Sequence, residues 1–153
     1  MQSAELPPVT EVLPHRPPVL LLDRVLSHDT EETVARVTIA ADQWLRRADG
    51  SAPPWLALEY MAQCVAAHEG LLARDEGRPL PRGYLMGAHG LRLHAAGFAA
   101  GEQLEVRASR FRGRPGLGVL SHVCSISSQE GELLAEGRLS VALAPPDGEV
   151  PPS

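Results

Sequence analysis

Residues 53–74, PPWLALEYMAQCVAAHEGLLAR, restrict the fold of this chain more than any other segment. The run is rich in Ala, Leu and Met, and its apolar residues fall on more than one face of a helix. A helix with so little polar surface has to be wrapped by other elements rather than laid on an outer surface. Ser51 is the expected N-cap, and Pro53 and Pro54 suit a first turn. Arg74 and Gly77 supply the stop.

The rest of the chain reads as strands. Residues 13–25, LPHRPPVLLLDRV, begin with a Pro-rich turn in which Pro17 and Pro18 keep the backbone extended, and a short strand or helix turn follows. In 32–40, ETVARVTIA, the apolar Ala35, Val37 and Ile39 alternate with Arg36 and Thr38. Four strand-like runs come after the helix, at 84–94, 104–112, 117–127 and 133–143. In the last, Leu133, Ala135, Gly137, Leu139, Val141 and Leu143 share one face by period two. The joints AGFAAGE, GRPG and QEGE carry turn chemistry. The order is strand, long helix, then an antiparallel meander. One helix cannot cover both faces of a five-stranded sheet, so the expected solution is an α+β fold with the sheet curled round the helix. Such a sheet leaves an edge strand free, which favours pairing with a second copy. A length of 153 residues fits one domain. It divides into a flexible segment at 1–12, a domain at 13–143 and a disordered tail at 144–153.

Composition removes several function classes. Fourteen cations against nineteen anions leave a net charge of −5, which disfavours nucleic acid as a partner. Every cation is Arg, so Schiff-base and Walker-type lysine chemistry is excluded. No apolar run approaches the length of a membrane span, and the first residues lack the pattern of a signal peptide. Cys64 and Cys124 are too few for a disulfide framework or a Cys-based zinc site, and a reducing cytoplasm is the expected compartment.

Glu59 is the most informative polar residue. It lies among Leu58, Tyr60, Met61 and Ala62 within the apolar helix, where a carboxylate is expected to lose solvation. Gln63, four residues on, shares its helix face. A shielded carboxyl beside an amide suits general acid–base work; the bland alternative is a Glu that reaches solvent or bonds Gln63. Of the histidines, His15 sits in the Pro-rich turn and could face a cleft. His28 reads as a solvated loop residue and His68 as a surface or partner contact. His89, His94 and His122 fall on strands. No H-x-x-x-H spacing occurs, and two residues after His89 stands Leu91, so no metal site is expected. Cys64 reads as packing, and no G-x-S-x-G is present. Arg107, Arg110, Arg112 and Arg114 cluster around an expected bulge. They form either a charged hairpin end or a docking patch for an acidic partner or a phosphate-bearing carrier arm.

Two of these segments carry a resemblance. LPHRPPVLLLDRV at 13–25 and LALEYMAQ at 56–63 resemble hotdog-fold 3-hydroxyacyl–acyl carrier protein dehydratases of the FabZ type, as do the turn Gly101-Glu102-Gln103-Leu104 and the run LLAEGRLSVAL. The chain is most similar to the ApeP-like branch, dehydratases associated with aryl polyene lipid synthesis. The resemblance implies a central helix wrapped by a curved antiparallel sheet of five or six strands, paired into a homodimer or heterodimer with sites at the interface. It gives Glu59 a catalytic role and Gln63 a supporting one, and it implies an acyl carrier protein partner and no cofactor. One departure stands out. The better-known members carry a His-Phe-Pro-Gly segment whose His lies fourteen residues before the Glu, a slot held here by Leu45. His15 or His89 becomes the candidate base, and backbone N–H groups from Trp55 onward become the donors for the thioester oxygen. The alternatives are a hotdog thioesterase and a non-catalytic subunit that binds acyl carrier protein beside a histidine-bearing partner.

Overall fold

The computed structural model describes residues 6–43, 45–111 and 119–144. Six strands, β1 (Arg24–His28), β2 (Glu32–Thr38), β3 (Arg82–Leu93), β4 (Gln103–Arg110), β5 (Val119–Ser128) and β6 (Leu133–Ala144), form one antiparallel sheet around one long helix, α1 (Leu56–Asp75). This is the hotdog arrangement that the resemblance implies. The strand order is β1-β2-β4-β5-β6-β3. The meander is therefore shorter than expected: β3 follows the helix but pairs with β6 rather than with β4, and it forms the far edge of the sheet.

α1 forms where the apolar run begins. Ser51 does not cap it, because its hydroxyl bonds Asp49 at 2.5 Å and the N-cap position falls at Trp55. Pro53 and Pro54 lie before the helix, and their carbonyls accept the N–H groups of Leu56 and Ala57 at 3.1 Å. At the other end Gly77 takes φ +68, a conformation that suits glycine, and the Arg78 N–H closes on the Ala73 carbonyl at 2.7 Å. Along the sheet, Ala35, Val37, Leu104, Val106, Ala108, Cys124, Ile126 and Leu139 bury one face against Tyr60, Met61, Cys64 and Val65. Tyr60 packs on Phe98 with ring centroids 5.8 Å apart.

The period-two reading of β6 holds from Ala135 onward and fails at Leu133. Ser127 pairs with Leu133 while Ile126 pairs with Ala135. The extra residue, Leu134, turns inward and is buried, and Leu133 is left exposed. β4 contains no such bulge, contrary to expectation. It keeps an unbroken register with both neighbours, which sends Arg107 and Arg110 to opposite faces of the sheet. The segments GRPG, Arg112 and Arg114 and the tail 145–153 lie outside the described residues. Of residues 1–12, the structure describes 6–12, in which Val9 and Val12 are buried against the core.

α1 admits this N-terminal segment through a glycine. A Cβ on Gly70 would overlap the Val12 carbonyl oxygen and stand 2.9 Å from Leu80 Cδ1. Gly70→Ala should therefore destabilise the fold by about 1–3 kcal/mol, although helix propensity alone favours alanine by about 1 kcal/mol. Urea unfolding measures the sign, and a stabilised variant would show that Val12 does not pack on this turn.

Candidate active site

Glu59 and Gln63 meet as their spacing requires. Gln63 is buried and uses both donors and its acceptor oxygen: its Nε2 donates to the Glu59 Oε1 at 2.9 Å and to the Val19 carbonyl at 2.6 Å, and its Oε1 accepts the Leu21 N–H at 2.9 Å. Gln63 thus ties the segment after the Pro-rich turn to the helix and holds the Glu59 carboxylate in one orientation. Glu59 itself is exposed in this chain, not shielded as expected. The sheet covers the Tyr60 and Met61 side of α1 and leaves the Glu59 side open.

Glu59 stands between two cavities. One, of about 260 Å³, is walled by Val19, Leu21, Gln43, Leu45, Leu56 and Trp55. Trp55 is 55% exposed at its rim. Leu45, in the slot that holds histidine in better-known members, is thus an apolar neighbour of Glu59. The second cavity, of about 160 Å³, contains Glu59 with His15, Ala62, Ala66, Gly83, Leu85 and Val141. His15 faces a cleft, as its place in the turn predicts, and its Nδ1 is buried without a hydrogen-bond partner. His89 lines neither cavity; it lies exposed on β3, opposite Arg138 of β6. At the helix start the N–H groups of Leu56, Ala57 and Leu58 are taken by the carbonyls three residues earlier, at 3.1–3.2 Å. The Trp55 amide makes no hydrogen bond among the described residues.

A second polar cluster lies on the other half of α1. Sequence reading missed it because its members are scattered over five elements. His68 is fully buried rather than a surface contact, since β2 and β5 sheathe that turn of the helix. His28 is not a solvated loop residue. It ends β1, and its Nδ1 and the His68 Nδ1 each lie 2.8 Å from the Thr33 hydroxyl. One hydroxyl proton serves both contacts, so Thr33 donates to one ring and accepts from the other. The His28 Nε2 lies 3.4 Å from Asp75. Next to this chain, Glu69 Oε1 accepts the His122 Nε2–H at 3.0 Å and faces the Arg110 guanidinium at 3.4 Å. Donor atoms of His68, Glu69 and His122 lie within 4.8 Å of one another, the spacing of a metal triad. The Glu69 oxygen is already matched by His122 and Arg110, so the arrangement reads as an ion-paired network. Of the docking candidates, Arg107 is held in an ion pair with Glu32 on the outer face and Arg110 in this network.

The comparisons agree with this fold. A family model described as ApeP-like, ApeP dehydratase, matches residues 7–150. The dehydratase heterocomplex ApeI:P from Xenorhabdus doucetiae contains a chain with 25% identity and a TM-score of 0.86, over 94% of this chain and 95% of that one. Fold-level likenesses include a hypothetical thioesterase with coenzyme A from Streptococcus pneumoniae (10% identity, TM-score 0.61, 80% and 85% covered) and the E. coli PaaI protein (15%, 0.58, 77% and 80%). No curated protein matches. No helix among the described residues is long and apolar enough to cross a membrane.

The buried His68 sets an acid limit on stability. Burial holds the His68 imidazole down at about 4, against an ordinary 6.5. The unfolded chain therefore binds a proton near pH 6.5 that the folded chain refuses until about 4, and stability falls as pH drops through that window. For Glu69, burial acts to raise the carboxyl, but the His122 hydrogen bond and the His122 and Arg110 charges outweigh it and hold the group low. Its contribution is likewise present above the ordinary carboxylate range and lost in acid. Urea unfolding from pH 7 to pH 4 should show a loss of the order of 3 kcal/mol from His68. His68→Gln should flatten the profile between pH 6.5 and 4.5, and an unchanged slope would contradict the assignment.

Proposed function

The chain belongs to the ApeP-like family of dehydratases, and on that premise we propose that it is the glutamate-bearing subunit of a 3-hydroxyacyl–acyl carrier protein dehydratase, acting on acyl chains of fatty acid or aryl polyene type lipid synthesis. The observation that carries this reading is Glu59, fixed by Gln63 at the junction of two cavities. Dehydration removes a proton from Cα and hydroxide from Cβ, leaving a trans-2-enoyl thioester. Glu59 protonates the departing hydroxyl, which leaves as water. A histidine takes the Cα proton, and the Trp55 amide at the start of α1, which has no hydrogen-bond partner among the described residues, donates to the thioester oxygen as negative charge develops there.

The histidine is assigned to a second hotdog subunit. Two observations support this. The neighbour of Glu59 at the customary histidine slot is Leu45. The open edge of β3 carries Tyr84, Leu85, Met86, Leu91 and Leu93, each 38–64% exposed, along a strand whose outer N–H and C=O groups are unpaired among the described residues. The likeness to a chain of a dehydratase heterocomplex points the same way. His15 favours a second reading, in which the chain supplies its own base, because His15 shares a cavity with Glu59.

The test is the intact mass of a 3-hydroxyacyl carrier protein incubated with this chain and a hotdog subunit bearing the His-Phe-Pro-Gly segment. Loss of one water is expected, and Glu59→Gln should slow it by about 10²-fold or more. His15→Gln should leave the rate within a few-fold; a collapse would establish the second reading. Release of free acid would place the chain among thioesterases. Full activity of Glu59→Gln would leave it a non-catalytic subunit.

A further inference from the structure

The cavity behind Glu59 does not end at Ala66. A third space, of about 280 Å³, shares His15, Ala66, Gly83 and Val141 with it and continues along α1 to Glu69. Glu59, Ala62, Ala66 and Glu69 stand at i, i+3, i+7 and i+10, one face of the helix. Two alanines thus leave a groove between α1 and β3, and a carboxylate closes each end. Ten residues of helix separate the two by ~15 Å.

Glu69 is no ordinary wall residue. It is 3% exposed. Its Oε1 is taken by His122 and Arg110, which fix the carboxylate from behind. Its Oε2 has no hydrogen-bond partner among the described residues, and the side chain lines the cavity. A methyl group pressed against that oxygen would leave it buried and unsatisfied, at a cost in binding, whereas a hydrogen-bond donor would satisfy it. The donor best suited is uncharged, because Arg110 already balances the carboxylate and a further cation would meet its field. We propose that Glu69 determines specificity at the far end of an acyl channel, selecting acyl groups whose distal end carries a neutral hydrogen-bond donor such as a hydroxyl. This rests on the reading of Glu59 as the reacting end.

Binding can be measured without turnover. The probes are S-alkyl pantetheine thioethers, which cannot be hydrolysed, titrated calorimetrically into the full chain assembled with its hotdog partner. Four are needed: long chains ending in hydroxyl, methyl or ammonium, and a short chain that stops before Ala66. The hydroxyl probe should bind about tenfold tighter than the methyl probe. Glu69→Gln should reduce that ratio to less than about threefold while leaving the short probe unchanged. Should that variant fail to fold, Ala66→Leu blocks the groove midway and should weaken both uncharged long probes about tenfold, again sparing the short one. Equal binding of hydroxyl and methyl probes, a preference for ammonium, a preference that survives Glu69→Gln, or long probes indifferent to Ala66→Leu would each overturn the proposal. A hydroxyl preference with no enoyl product would instead keep the channel and remove the dehydratase reading.

Discussion

α1 tolerates water on almost no side. Fourteen of its twenty residues are buried, and the sheet has to curl to cover them. The rest of the architecture follows from that demand. β2, β4, β5 and β6 supply the apolar concave face. The Pro-rich segment and its continuation through Leu21 close the side that the sheet cannot reach, held there by two hydrogen bonds between Gln63 and the backbone of Val19 and Leu21. β3 is left on the rim, the one long strand whose residues are nearly all exposed.

The same helix carries the chemistry because burial is incomplete along one stripe. Ala62 and Ala66 are too small to fill the space between α1 and β3, and the polar residues that interrupt the apolar run are found at the two ends of the gap this leaves. The two carboxylates are held differently. Glu59 is oriented by a neutral amide and remains open to solvent. Glu69 is enclosed and kept ionised by a histidine and an arginine. An exposed carboxylate next to an uncovered strand edge fits a site that a second subunit completes, and an enclosed one fits a fixed reader.

The helix, its stop at Gly77 and the alternation in β2 were legible in the sequence, since each depends on neighbours within a few positions. Glu59 and Gln63 were legible for the same reason, as an i, i+4 pair. The position of β3 was not, because pairing with β6 rather than β4 is decided by how the sheet closes round the helix. Nor was the state of the histidines. His28 and His68 are forty residues apart and meet only through Thr33, while His122 reaches Glu69 from the middle of the sheet. Leu133 shows the limit of periodicity: a single extra residue in β6 exchanged its place with Leu134. The solvation of Glu59 misled in the other direction, because an apolar sequence neighbourhood does not say which side of a helix the sheet will cover.

The central claim is that this chain presents half of a catalytic pair and that another hotdog subunit presents the other half. The most direct measurement compares the chain alone with the chain mixed with a histidine-bearing hotdog subunit, following water loss from a 3-hydroxyacyl carrier protein by intact mass. The account predicts enoyl product only in the mixture. Conversion by the isolated chain at the rate of the mixture would contradict it.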